Sequence, residues 1–125
     1  MPRTHARPPD VLMIAVDDLN HWVGPLGRNP AARTPHLDRL AARGVTFTNA
    51  HCPAPVCNAS RAAILSGRRP HETGIYDNGI DWERRIPDGT TLPAQFLRHG
   101  YEVLGAGKIF HTNTWKPREW SGYER

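Results

Sequence analysis

The sequence is poor in cysteine, in long apolar runs and in charge of one sign. Only Cys52 and Cys57 occur among its 125 residues, too few for a disulfide framework. A bridge between them would close a tiny loop holding Pro53 and Pro55, which suits disulfide geometry poorly. Their spacing is not Cys-x-x-Cys, which excludes a zinc ribbon and a thioredoxin-type motif. The longest wholly apolar run covers residues 11–16, whereas a transmembrane helix needs about 20 residues, so no membrane span is expected. Residues 1–9 are basic but have no apolar segment, so no secretory signal is visible and a flexible N-terminus is expected there. Net charge is only +4, with sixteen Lys and Arg against twelve Asp and Glu. The arginines are scattered along the chain, whereas a nucleic-acid binder clusters them on one face, so no nucleic-acid partner is expected.

Glycine and proline are abundant, eleven and twelve residues, against a usual combined share of about 12%. That predicts many loops without making the chain low in complexity. Asp10 opens the run Val11-Leu12-Met13-Ile14-Ala15-Val16. Continuous apolarity without alternation suits a parallel strand buried on both faces. Thr34-Pro35 predicts a helix start, with Thr34 as N-cap, Leu37, Leu40 and Ala41 as apolar face and Gly44 as stop. Val45-Thr46-Phe47-Thr48 alternates like a short strand. A second helix is expected over residues 59–66, stopped by Gly67, and a third from Thr91, with Leu92, Phe96 and Leu97 as its stripe and Gly100 as its end. Residues 68–90 read as loop, residues 101–106 as another strand, and residues 112–125 show no period. This order argues an α/β layered fold with a mainly parallel sheet, left incomplete because two or three strands are too few to close one.

Three clusters stand where loops meet these elements. Asp17-Asp18 ends the apolar run, where paired carboxylates suit a hard cation such as Ca²⁺ or Mg²⁺; Asp-Asp-Leu-Asn is equally a good turn sequence. Cys57-Asn58-Ala59-Ser60-Arg61 opens the second helix. A helix start favours a thiolate, and Arg61 one turn on suits an anion; a Cys packed as a small apolar residue is the alternative. Gly107-Lys108-Ile109-Phe110-His111 follows the last strand. Its glycine permits close backbone approach, Lys108 offers a point charge for an oxyanion and His111 an acid or donor. Taken alone, this run is equally a solvated loop.

Together the motifs carry a resemblance. Asp17-Asp18 after an apolar run, Thr34-Pro35-His36-Leu37-Asp38-Arg39-Leu40-Ala41, Phe47-Thr48-Asn49-Ala50, Cys57-Asn58-Ala59-Ser60-Arg61, Leu65-Ser66-Gly67-Arg68-Arg69-Pro70 and Gly107-Lys108-Ile109-Phe110-His111 resemble, in that order, the N-terminal part of a type I sulfatase. The Gly-Lys-x-x-His spelling resembles the iduronate-2-sulfatase branch most. The resemblance implies the N-terminal portion of an alkaline phosphatase-like α/β/α sandwich over residues 10–125. It implies that Cys57 is oxidised to formylglycine by a maturation enzyme. The hydrated aldehyde then attacks the sulfur of a sulfate ester, and its second hydroxyl later expels the bound sulfate. It further implies Asp17, Asp18 and the formylglycine of Cys57 as ligands of a divalent cation, usually Ca²⁺. Arg61, Lys108 and His111 would serve the nucleophile and the sulfate oxygens, where developing charge needs stabilising. The implied substrate is a sulfated small molecule or polysaccharide, such as a sulfated sugar.

Two departures stand out. Ala59 occupies the position of the usual Pro in Cys-x-Pro-x-Arg, which bears on maturation. The family's remaining metal ligands and a second Lys/His pair lie far downstream, so the chain by itself is expected to be an inactive portion of the domain. Family members are often exported or lysosomal. Two other readings stay open at this point: a phosphonate or phosphodiester hydrolase with the same core, and a non-catalytic truncated fragment.

Overall fold

In the computed structural model, residues 7–112 and 114–124 are described; most of the expected flexible N-terminus, residues 1–6, lies outside them. The chain divides into two units, Met1–Asn49 and Ala50–Arg125.

The first unit holds one 3-10 turn, Gly24–Leu26, and helix α1, Pro35–Ala41. The Gly24 N–H donates to Thr34 Oγ1 at 2.7 Å. Thr34 is therefore a tether for the 3-10 turn and not the side-chain cap predicted for α1. Gly24 is required by this approach, because a Cβ there would come within 2.1 Å of Asp38 Oδ1. Pro35 starts α1 as expected, but the helix ends at Ala41, before Gly44, and its Leu40 is 64% exposed. The two strands expected in this unit are not formed. Residues 11–16 and 45–48 carry no strand, and Leu12 is 84% exposed. The physical reason is that a run buried on both faces needs strand partners and covering layers, and the one sheet among the described residues lies elsewhere.

The second unit contains helices α2 (Cys57–Ser66), α3 (Pro70–Thr73), α4 (Trp82–Arg85) and α5 (Leu92–Arg98), then strand β1 (Leu104–Ala106), a 3-10 turn (Pro117–Glu119) and strand β2 (Gly122–Glu124). Its core is Ala59, Ala62 and Leu65 of α2 with Ile75, Trp82, Ile86 and Phe110. The i, i+3, i+6 spacing of Ala59, Ala62 and Leu65 puts them on one helix face. Small residues there let the Trp82 and Phe110 rings approach, stacked at 3.9 Å and 6°. Each fully buried large side chain contributes about 1.5–3 kcal/mol.

Gly67 stops α2 in the left-handed region, at φ 67°, as expected of a C-terminal glycine. α5 begins at Leu92, one residue after the expected start, and Thr91 stands before it as N-cap, accepting from the Ala94 N–H. Its hydroxyl in turn donates to the buried carboxylate of Glu119, which accepts the Gly89 N–H at 2.7 Å as well. This ties the tail to the start of α5. β1 and β2 run parallel, with Leu104 opposite Gly122 and Ala106 opposite Glu124. The α/β class with parallel pairing is thus present, realised by two strands. The stretch expected to be loop, residues 68–90, contains α3 and α4, single turns too short to show a period.

Candidate active site

Helix α2 places Cys57 at its first position, two residues earlier than the sequence suggests, and exposed. The Ser60 N–H donates to the Val56 carbonyl at 2.9 Å and closes the first turn. Val56 offers no side-chain cap. Asn78, twenty residues on, fills that role: its Oδ1 accepts the Asn58 N–H at 3.1 Å. Asn58 reciprocates, with Nδ2 donating to the carbonyls of Asp77 at 2.9 Å and Ile80 at 2.8 Å. Asn58 is only 1% exposed, so this exchange anchors the Cys57 end of α2 to the 77–80 loop. Ala59, in the position of the usual Pro, is buried in the core.

Arg61, one turn after Cys57, extends its guanidinium to the third cluster. Nη1 donates to the Lys108 carbonyl and, at 3.1 Å, to that of Ile109. The loop it grips is otherwise fixed by its backbone and by an aromatic anchor. Gly107 adopts φ 72°; its N–H donates to the Glu124 carbonyl at 3.0 Å, and its carbonyl accepts from the Tyr123 hydroxyl at 2.6 Å. Phe110 is buried against Trp82, whose Nε1 donates to Thr112 Oγ1 at 3.2 Å. Lys108 is exposed and His111 half-buried. His111 Nδ1 is shut from solvent and has no hydrogen-bond partner among the described residues.

Cys57, Arg61, Lys108 and His111 thus share the second unit, and Arg61 joins the Cys57 helix directly to the Lys108 loop. Asp17 and Asp18 belong to the first unit, in an exposed turn where Asp18 adopts φ 57°. A non-glycine residue in that region is uncommon, and Asp tolerates it better than most. Among the described residues no three His, Cys, Asp or Glu side chains cluster as a metal site. Two carboxylates present at most four oxygens, whereas Ca²⁺ takes six to eight. Asp17 and Asp18 fit part of a cation shell and not the whole of one. No helix among the described residues is long and apolar enough to cross a membrane.

Asn58, Asn78 and Glu119 are not singled out by the sequence. Asn58 lies inside the cysteine motif, yet its burial depends on partners about twenty residues away, which no local spacing announces.

The sulfatase family profile matches residues 9–122. A sulfatase of Formosa agariphila is 51% identical over 109 residues, covering 82% of this chain and 22% of that protein. Human arylsulfatase A is 47% identical over 108 residues, covering 82% and 21%. Human iduronate 2-sulfatase is 38% identical over 102 residues, covering 82% and 18%. The chain spans about a fifth of the length of these curated relatives. With its motifs in family order and its α/β organisation, the chain belongs to the type I sulfatase family of the alkaline phosphatase-like superfamily.

Proposed function

We propose that residues 10–125 form the first part of a sulfatase catalytic domain, and that the polypeptide carrying them hydrolyses sulfate esters. The observation that carries this reading is the Arg61 bridge, which fixes the Cys57 helix start against the Lys108 loop. It gives one unit a nucleophile position, a guanidinium, an ammonium and an imidazole. The relatives' names extend the reading to sulfated sugars, since iduronate and N-acetylgalactosamine sulfates are named among them.

In this reading Cys57 is oxidised by a maturation enzyme, and the resulting formylglycine supplies a hydroxyl nucleophile in its hydrated form. A divalent cation, usually Ca²⁺, would be held by Asp17, Asp18 and the modified Cys57 together with ligands from outside this chain, and would polarise a sulfate oxygen. The chain's own groups do the rest. Arg61 keeps residue 57 and the Lys108 loop in register. Lys108 holds the non-bridging sulfate oxygens as negative charge shifts toward the departing alcohol. His111 Nδ1, shut from solvent and without a hydrogen-bond partner among the described residues, is poised to bond the sulfate or the nucleophile. The net reaction consumes water and gives an alcohol and inorganic sulfate.

The test is to express the longer polypeptide with a maturation enzyme and assay a chromogenic aryl sulfate and an aryl phosphodiester with calcium. Sulfate release well above that of a Cys57→Ala control supports the reading. Preference for the phosphodiester transfers it to the phosphodiester or phosphonate hydrolases. No turnover of either leaves a non-catalytic fragment.

A further inference from the structure

Asn78-Gly79 is the one Asn-Gly step in the sequence. It forms the exposed turn of the 77–80 loop, with Asp77 exposed beside it. Two hydrogen bonds give this turn a chemical character. The Gly79 N–H donates to Asp77 Oδ1 at 2.8 Å, so the main-chain nitrogen that follows Asn78 rests on a carboxylate. The Asn78 side-chain carbonyl accepts the Asn58 N–H at 3.1 Å, at the start of α2, where the helix dipole is positive. A donor on that oxygen draws electrons from Cγ and stabilises the negative charge the oxygen gains when Cγ is attacked. Gly79 has no side chain to hinder the approach of its nitrogen. One short stretch therefore holds a main-chain nucleophile against a base and its electrophile against a donor, in reach of water.

We infer that Asn78-Gly79 is a self-modification site, at which the chain converts its own asparagine into isoaspartate and so releases the Cys57 end of α2. The Gly79 nitrogen bonds to Asn78 Cγ and gives its proton to the Asp77 carboxylate. The Cγ–Nδ2 bond then breaks, and Asp77 returns the proton to the departing nitrogen, which leaves as ammonia. Water opens the resulting succinimide ring. Opening at Cγ leaves an ordinary aspartate. Opening at the main-chain carbonyl leaves isoaspartate, in which the backbone runs through the former side chain and is one methylene longer. No oxidant, reductant or cofactor takes part. The two products differ in consequence. Aspartate keeps an oxygen for the Asn58 N–H, and negative charge there suits a helix start. Isoaspartate changes the spacing between the Asp77 and Ile80 carbonyls, the two acceptors of the buried Asn58 side chain. The inference stands independently of the hydrolase reading.

The experiment incubates the purified 125-residue chain in neutral buffer at physiological temperature. Peptide mass spectrometry follows residue 78, and labelling by an isoaspartyl methyltransferase separates the two products. Isoaspartate should exceed aspartate at position 78, while the buried Asn58 stays an amide in the same digest. The folded chain should convert at least as fast as the chain unfolded in urea, although a folded backbone ordinarily restrains such a ring closure. Asp77→Ser keeps an acceptor for the Gly79 N–H without its charge. It should slow conversion about tenfold or more, since a well-placed base is worth about 100-fold and this carboxylate is open to water. The converted chain should melt about 4–8 °C or more below the fresh chain, the shift for losing one helix cap in a unit of this size. Asn78→Asp, which keeps the cap oxygen and the normal backbone, should melt with the parent. An amide that outlasts the one in urea, an equal rate for Asp77→Ser, or a converted chain that melts with the fresh one would each overturn the inference. If Asp77→Ser does not fold, the comparison with urea decides.

Discussion

Asn58→Ala is the sharpest perturbation of the site's scaffold. Asn58 is 1% exposed and donates from Nδ2 to two loop carbonyls, those of Asp77 and Ile80. Truncation leaves both acceptors without their donor and opens a small gap beside the core. A net hydrogen bond is worth about 0.5–1.5 kcal/mol, and an acceptor left unpaired in a buried place costs about 1–3 kcal/mol. Two such bonds, both only partly shielded, set the expected loss at about 2–4 kcal/mol. For a unit of this size each kcal/mol moves the midpoint by roughly 4–8 °C, so Tm should fall by about 10–25 °C. Asn58→Asp is the matched control of shape: nearly isosteric, it cannot donate and sets a carboxylate against two carbonyls. It should therefore be at least as damaging. Asn78→Ala removes only the bond to the Asn58 N–H at an exposed position and should cost about 1 kcal/mol. Urea unfolding followed by tryptophan fluorescence reads all three, since Trp82 lies in this core. An Asn58→Ala variant within about 0.5 kcal/mol of the parent, the range of ordinary surface changes, would refute the anchoring of α2 to the 77–80 loop.

Three further outcomes follow from the geometry. Gly105→Ala would bring a Cβ within 2.5 Å of the Trp120 ring and should cost about 1–3 kcal/mol by overpacking, whereas Gly107→Ala meets no neighbour and should cost about 1–2 kcal/mol through its φ of 72° alone; thermal melts compare the two. Lys116 donates to the Asp88 carboxylate, and this bond with the adjacent positive charge holds Asp88 below the usual carboxylate range. That stability is complete above about pH 4, the unfolded value, and fades as pH falls through the lower folded value, so Asp88→Asn should flatten the acid limb of a pH-dependent unfolding curve. In the longer, matured polypeptide, Asp17→Asn should remove most aryl sulfate turnover with little loss of folded yield, and should be partly restored by excess calcium; undiminished turnover at low calcium would remove Asp17 from the cation shell.

What could be read from the sequence follows a physical division. α2 and α5 were legible because their signals are local: Gly67 and Thr91 act on the backbone within a few residues. The short sheet was legible in part, β1 falling inside the run predicted as strand and β2 inside a tail without a period, since three residues are too few to show alternation. The apolar run at residues 11–16 misled for a different reason. Its composition describes a strand surrounded by other layers, and a strand exists only when its partners do. The same limit hid Asn58, whose hydrogen bonds span about twenty residues. The charge of Arg61 reads in the sequence as a group for an anion; its grip on the Lys108 and Ile109 carbonyls depends on how α2 packs against a loop nearly fifty residues away.

The central claim is that Cys57 is the residue converted into the nucleophile. The measurement that addresses it most directly is tryptic mass spectrometry of the polypeptide coexpressed with a maturation enzyme. The account predicts formylglycine at Cys57, an aldehyde in place of the thiol, while Cys52 in the same sample stays an unmodified thiol. Unmodified thiol at both positions, or the aldehyde at Cys52 alone, would contradict it.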